Sequence, residues 1–355
     1  MCAGLGSSIP PVYISEVAPE QVNGTLGSLI QLQITFGIFA SYLMGIPLPT
    51  SDLSNDSMNS WWMAMFLFPV LTCLVQSVVL VLVYKFDTPV WLQSKNRDKE
   101  AERVLCKIYK SYIPETQNSQ EMTENNESAA GLVGKDPSYK ELFRNPKYRR
   151  GLILTCSLSA LQQLSGINTF IFYSTRIFEE TGGQSDQAIY FTAALGFFNM
   201  ITTLSSLFFV DKLGRKLMLL QGSVGMCLCQ LLLSYFDYID AASWLKLSIM
   251  LVYVAFFESS LGPVLWIYCG EVMTDKGVGL AVAMNWIWAA IIGAVFPVMS
   301  SDSGLGVALT FLIFGCFCAF SFFYVLLFAV ETKGKTKDSI LNELKPKRLN
   351  SPNNY

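Results

Sequence analysis

Residues 304–330 read GLGVALTFLIFGCFCAFSFFYVLLFAV, a run without one charged side chain. About 20 apolar residues cross a hydrocarbon core as a helix, so this run is long enough to span a bilayer. It shows neither the alternation of a half-buried strand nor the polar face of a surface helix. Working outward, comparable blocks occur at roughly 25–46, 61–84, 151–175, 187–210, 217–236, 247–270 and 278–298, which makes eight. A soluble core holds one or two such blocks, not eight. Lipid offers no partner for backbone N–H and C=O groups, so each block is expected as a helix; a membrane barrel would show alternating segments of about 10 residues instead. The expected class is an all-α membrane protein with eight complete transmembrane helices.

Composition agrees. Hydrophobic residues make up 52% of the 355-residue chain and charged residues 15%, with a mean hydropathy of +0.40. A soluble protein carries about 25% charged residues. The formal net charge of −2 says little, but its distribution is informative. With the loops assigned alternately to two sides, residues 85–150, 211–216, 271–277 and 331–355 hold 23 of the 25 Lys and Arg. The opposite side has only Arg176 and Lys246. The bias of basic loops toward the cytoplasm then places the 85–150 segment and the C-terminus inside.

Smaller features fit the same layout. Of nine cysteines none falls in an expected outer loop, and no disulfide is expected. The start, MCAGLG, lacks the basic n-region of a signal peptide. Among the sequons at Asn23, Asn55 and Asn126, only Asn55 lies on the expected outer side. In residues 94–112, Val104, Ile108 and Tyr112 recur at helical spacing, as in a helix lying on a surface. Residues 137–149 lead into the next span. Between these two pieces, the Glu/Asn/Ser/Gln-rich stretch 115–134 is expected to lack fixed structure.

The chemistry inside the spans is sparse. Glu258 is the single ionisable residue well within a block. An acid in that position faces a cavity or a partner, because an intramembrane charge is costly. The chain has no histidine, which removes His-based catalysis and His metal sites, and its Cys and acid spacings match no metal pattern. No catalytic residue, metal or cofactor is expected, which argues against a membrane-embedded enzyme. What the spans do hold is amides: Gln31, Gln33, Gln162, Gln163, Asn168, Asn199 and Asn285. An amide pairs a donor with an acceptor, and so does a sugar hydroxyl. The competing role is interhelical glue, worth about 0.6 kcal/mol per bond. Gln31 and Gln33 project about 200° apart, so at most one faces a pathway. Gln163 and Asn168 stand about 140° apart on a straight helix and converge only if the helix unwinds near Gly166.

These residues also carry a resemblance. QQLSGIN at 162–168 resembles the seventh-helix motif of the sugar porters (hexose transporters) of the major facilitator superfamily. PVYISEVAP at 11–19 looks like the cytoplasmic end of their fourth helix, and DTPVWL at 87–92 like the motif after the sixth. DKLGRK at 211–216 is similar to the loop between helices eight and nine. GPVLW at 262–266 with Glu271, and ETKGKT at 331–336, resemble the tenth-helix and C-terminal motifs. GPVLWIY at 262–268 is also similar to protist hexose transporters, apicomplexan ones included.

The resemblance implies a twelve-helix fold in two six-helix halves. Residues 1–84 would hold the end of helix four with helices five and six. Residues 85–150 would be a cytoplasmic linker, 151–330 the C-terminal six-helix bundle and 331–355 a cytoplasmic tail. The chain would begin inside helix four and lack helices one to three, and as such is expected to move no sugar alone. The implied function is hexose transport of glucose type by alternating access, in the plasma membrane, without nucleic-acid partners. Proton symport and a sugar-sensing receptor on the same fold are the alternatives, and nothing in the residues sets an oligomeric state.

By the same resemblance, Gln31, Gln162, Gln163, Asn168, Asn199, Glu258 and Trp266 would contact the hexose. Ile34, Phe172, Tyr173, Phe257, Asn285 and Trp286 would line the pocket, with Phe172 and Tyr173 near its outer gate. Glu16, Asp87, Asp211, Arg215, Lys216, Glu271 and Glu331 would form a cytoplasmic charge network. The sequence departs from the family pattern at Asn23 and Val90, where arginine is usual, and at Ala289, where many hexose carriers have asparagine. The loop after Glu271 is also short and carries no arginine. The network is therefore expected to be thinned.

Overall fold

The computed structural model describes residues 9–10, 12–14, 16–18, 23–47, 60–82, 86–109, 137–171, 185–301 and 303–344. Thirteen helices are defined among them. They are α1 (Asn23–Gly45), α2 (Trp61–Leu82), α3 (Pro89–Ser94), α4 (Asp98–Ile108), α5 (Tyr139–Arg144), α6 (Pro146–Leu164) and α7 (Ser185–Leu213). The remainder are α8 (Arg215–Tyr238), α9 (Ser243–Glu258), α10 (Leu261–Val272), α11 (Asp275–Ser300), α12 (Gly306–Phe328) and α13 (Lys337–Glu343). No strand occurs among the described residues.

Among the described residues, seven segments are long and apolar enough to cross a membrane: 26–45, 61–82, 187–213, 215–238, 244–272, 275–300 and 306–328. The eighth expected block, 151–175, is divided. Helix α6 ends at Leu164, the chain turns at Ser165 and Gly166, and helix resumes over 167–171. Gly166 has φ +89°, a left-handed conformation that glycine adopts without penalty. The 247–270 block is divided too. Helix α9 stops at Glu258, Ser260 takes φ −140° and ψ −99°, and α10 starts at Leu261. Pro263 accounts for this: its ring clashes with the carbonyl four residues back, at Ser259, and it offers no N–H to that carbonyl. In the first turn of a new helix the missing N–H matters little.

The closest packing joins α8 to α12, α1 to α7, α6 to α11 and α8 to α9, while α10 touches α1, α6 and α8. Helix α10 is thus the centre of the assembly, and ten of its residues are buried. The apolar surface left outside is large. Helix α2 has no buried residue and touches α1, to which the Trp61 indole donates a hydrogen bond at the Met44 carbonyl (2.8 Å). Phe66, Val298 and Leu327 stand 68–73% exposed, as side chains facing lipid do.

Outside the spans, Thr88 caps α3 and Asn145 caps α6, each followed by proline at the first helical position. Leu92, Ala101 and Val104 make a small separate core between α3 and α4. In the surface helix read over 94–112, Val104 faces this core, Ile108 is exposed and Tyr112 lies outside the described residues. The stretch 115–134 and the sequons at Asn55 and Asn126 also fall outside them. At the other end of the chain, α13 packs back against α6 and α10, with Lys147 paired to Asp338 at 2.8 Å.

Candidate functional site

The interruption at Gly166 brings Asn168 back over Gln163, and from there a directional line of amides runs through the centre. Asn168 Nδ2 donates to Gln163 Oε1 (2.6 Å), and Gln163 Nε2 donates to Asn285 Oδ1 (2.8 Å). Asn285 Nδ2 donates to Gln162 Oε1 (2.6 Å) and to the Ser159 carbonyl (3.1 Å). Gln162 Nε2 then donates to the Leu261 carbonyl in the first turn of α10 (2.6 Å). Four amides from α6, the turn behind it and α11 therefore point their donors one way and end on α10. Bonds in such a chain polarise one another in a low-dielectric interior. Each amide keeps a second N–H or a second lone pair, which a vicinal hydroxyl pair could take.

A second polar group lies on the other side of α10. Glu258, at the last turn of α9, accepts from Gln31 Nε2 on α1 (3.1 and 3.3 Å) and from Thr203 Oγ1 on α7 (3.1 Å). All three side chains are buried, while Gln33 is exposed. Gly262 separates the two groups. A Cβ there would lie 2.9 Å from Glu258 Oε2 and 3.3 Å from Gln31 Nε2, so a larger residue would displace these side-chain ends. Trp266 lies one turn further along α10 and is 9% exposed.

The other expected residues divide. Asn199 is buried one turn before Thr203, and its Oδ1 has no hydrogen-bond partner among the described residues. Phe257 is buried, but Ile34 and Trp286 are 41% and 40% exposed. Phe172 and Tyr173 lie outside the described residues. Sequence reasoning passed over Thr203, although it stands four residues from Asn199 on one helical face. It also passed over Gln230, a lone amide in an otherwise apolar block. Its Nε2 donates to the Ser165 carbonyl at 2.9 Å.

The expected charge network forms in part. The Arg215 guanidinium makes three hydrogen bonds to Glu271 (2.8, 3.1 and 3.2 Å), approaches Asp211 (3.2 Å) and donates to the Val210 carbonyl (3.2 Å). Glu331 instead caps the start of α8, accepting from the backbone N–H groups of Arg215 and Lys216 (both 3.0 Å). Thr332 Oγ1, not anticipated, donates to Glu271 at 2.6 Å. Lys216 turns away from the acids, and its Nζ donates to the Leu326 carbonyl in the last turn of α12 (3.0 Å). Asp87 is exposed and lies within the field of Arg97, away from this cluster.

Glu16 also stands apart, beside Thr88 and Asp275. Burial foremost, with the neighbouring Asp275, raises its pKa from 4.5 to about 7 against the opposing effects of the Thr88 hydrogen bond and Lys337. The folded chain thus keeps a proton that the unfolded chain releases above about pH 4.5. Stability is expected to fall as pH rises from about 4.5 to about 7 and then to level off. Thermal unfolding in detergent across that range checks this, since Glu16→Gln should flatten the slope and an unchanged slope would place its origin elsewhere.

The chain is 35% identical over 352 residues to Hexose transporter 1 of Plasmodium falciparum, covering 93% of this chain and 68% of the relative. It is 33% identical over 345 residues to solute carrier family 2, facilitated glucose transporter member 3, of Oryctolagus cuniculus, covering 95% and 67%. It thus spans about two-thirds the length of these relatives. Among solved structures, the proton:xylose symporter XylE bound to 6-bromo-6-deoxy-D-glucose superposes with a TM-score of 0.76 at 28% identity, covering 96% of this chain and 71% of that one. Residues 1–344 match the Sugar (and other) transporter family. With two interrupted spans meeting at a line of buried amides, and with that match over nearly its whole length, the chain belongs to the sugar transporter family of the major facilitator fold.

Proposed function

We propose that the chain binds a hexose of the glucose type and takes part in carrying it across a membrane by alternating access. The observation that carries this reading is the amide line Asn168–Gln163–Asn285–Gln162, ending at the first turn of α10. Neutral amides recognise hydroxyl pairs without charge, and they discriminate against analogues that leave a buried partner stranded. The names of the two relatives and the sugar held by XylE point to the same substrate class. The unpartnered Asn199 Oδ1 offers an acceptor for one hydroxyl, and Trp266 offers an apolar face to the C–H side of the ring.

Helix α10 supplies the coupling. It carries Gly262 near one end, Trp266 at its middle and Glu271 near the other end, about 14 Å from Gly262 along the axis at 1.5 Å per residue. A sugar that shifts the first turn therefore moves Glu271 against Arg215, and these pairs differ in free energy between the two access states. The proposed layout keeps 1–84 with the N-terminal bundle, 85–150 as linker, 151–330 as the C-terminal bundle and 331–355 as tail. The basic side would be cytoplasmic and the membrane the plasma membrane.

Binding to the purified chain tests the reading, with quenching of tryptophan fluorescence as the signal. D-glucose is expected to bind, and a panel in which only polyols or fructose bind would overturn the glucose assignment. Glu258→Gln is expected to preserve binding but, once the three upstream helices that the resemblance implies are supplied, to slow uptake by cells, because an amide retains hydrogen bonding to Gln31 or Thr203 while altering the charge between helices. Loss of binding with intact folding would show that the carboxylate itself contacts the sugar.

A further inference from the structure

The amide line depends on one carbonyl. Where α6 gives way to the turn at Gly166, the Ser165 carbonyl leaves the helical ladder inside the protein. Gln230 Nε2 on α8 donates to it at 2.9 Å and the Tyr253 hydroxyl on α9 at 2.8 Å, with Cys318 Sγ on α12 at 4.0 Å. Gln230 and Tyr253 are both fully buried. The Ser165 hydroxyl adds to the set, donating to the Gln162 carbonyl (2.7 Å) and lying 3.1 Å from the Tyr253 hydroxyl. Neither Gln230 nor Tyr253 belongs to the hexose-facing set.

We infer that Gln230 and Tyr253 are positioning residues, which hold the interruption of α6 in the bent form and so set the affinity for hexose without touching it. The inference rests on the hexose reading of the amide line. Its physical basis is the alternative open to the chain. If Gly166 returned to right-handed helix, the Ser165 carbonyl would rejoin the ladder, and Asn168 would swing to about 140° from Gln163. The first amide would then leave the line. The two donors make the bent form the satisfied one, because a buried carbonyl without a partner is costly. The turn is closely packed: a Cβ at Gly166 would lie 2.8 Å from Phe314 and 3.2 Å from Gln230 Nε2.

A merely structural pair would lower stability and leave affinity unchanged. The test measures D-glucose affinity of the purified chain carrying Gln230→Leu or Tyr253→Phe, each alone and combined with Asn168→Ala. Gln230→Leu is expected to weaken binding about tenfold and Tyr253→Phe about threefold, the smaller effect because Gln230 still holds the carbonyl. In the Asn168→Ala background neither should weaken binding further, since each acts through Asn168. Tyr253→Phe removes one hydroxyl only and serves if Gln230→Leu does not fold. Unchanged affinity in a folded variant, or losses that add in full to that of Asn168→Ala, overturns the inference. A wild-type chain that binds no hexose fails at the earlier step, overturning the substrate reading and this inference with it.

Discussion

Replacing Gln162 by alanine is expected to weaken D-glucose binding by about 1–3 kcal/mol, roughly 5–150-fold in affinity. Gln162 stands where the amide line passes from α11 to α10: its Oε1 accepts from Asn285 and its Nε2 donates to the Leu261 carbonyl. Truncation strands the Asn285 amide, and it removes the group that registers α6 against the first turn of α10. A hexose hydroxyl that pairs with this amide would then meet an apolar gap. The competing role is glue between helices, in which case the chain loses about 0.6 kcal/mol of stability per bond and the folded protein binds sugar as before. Titration of the folded variant separates the two, and wild-type affinity would return Gln162 to packing.

The second large effect is expected at Arg215. Its side chain is 5% exposed and that of Glu271 14%, so the ion pair between them is largely out of water. Arg215→Ala leaves the Glu271 carboxylate with the Thr332 hydroxyl, at 2.6 Å, as its remaining side-chain donor among the described residues. Breaking one side of a buried pair costs about 3–5 kcal/mol, whereas neutralising both partners costs much less. Unfolding of the chain in detergent should therefore show a large loss for Arg215→Ala and substantial recovery in Arg215→Met/Glu271→Gln. A single variant within about 1 kcal/mol of wild type would mean that the pair is solvated in practice. The pair also ties α8 to the far end of α10, so the single variant should loosen the end of the assembly that the basic loops mark.

Much of this architecture follows from local chemistry alone. Blocks such as 304–330 have one stable solution in lipid, a helix, whatever surrounds them. The amides stand out because nearly everything beside them is apolar, and Glu258 stands out for the same reason. Gly166 marks one interruption from the sequence, whereas the break before Pro263 falls inside the 247–270 block read as continuous, although proline disfavours a continuous helix there. The family motifs add an order of helices that hydropathy by itself does not supply.

Which polar groups meet was decided only in three dimensions. Helical spacing left Gln163 and Asn168 apart, and the bend at Gly166 brought them together. No spacing rule links Gln31 to Glu258 across 227 positions, or separates the capping role of Glu331 from the pairing role of Glu271. Lys216 follows Arg215 directly, yet successive residues point about 100° apart on a helix, and it reaches the end of α12 instead of an acid. Gln230 drew no notice in its apolar block, and only the Ser165 carbonyl beside it gives that amide a role. Apart from the local bend at Gly166, the reason is common. A sequence fixes the face and depth of a side chain within its own helix, but its partner is chosen by the packing of helices distant in the chain.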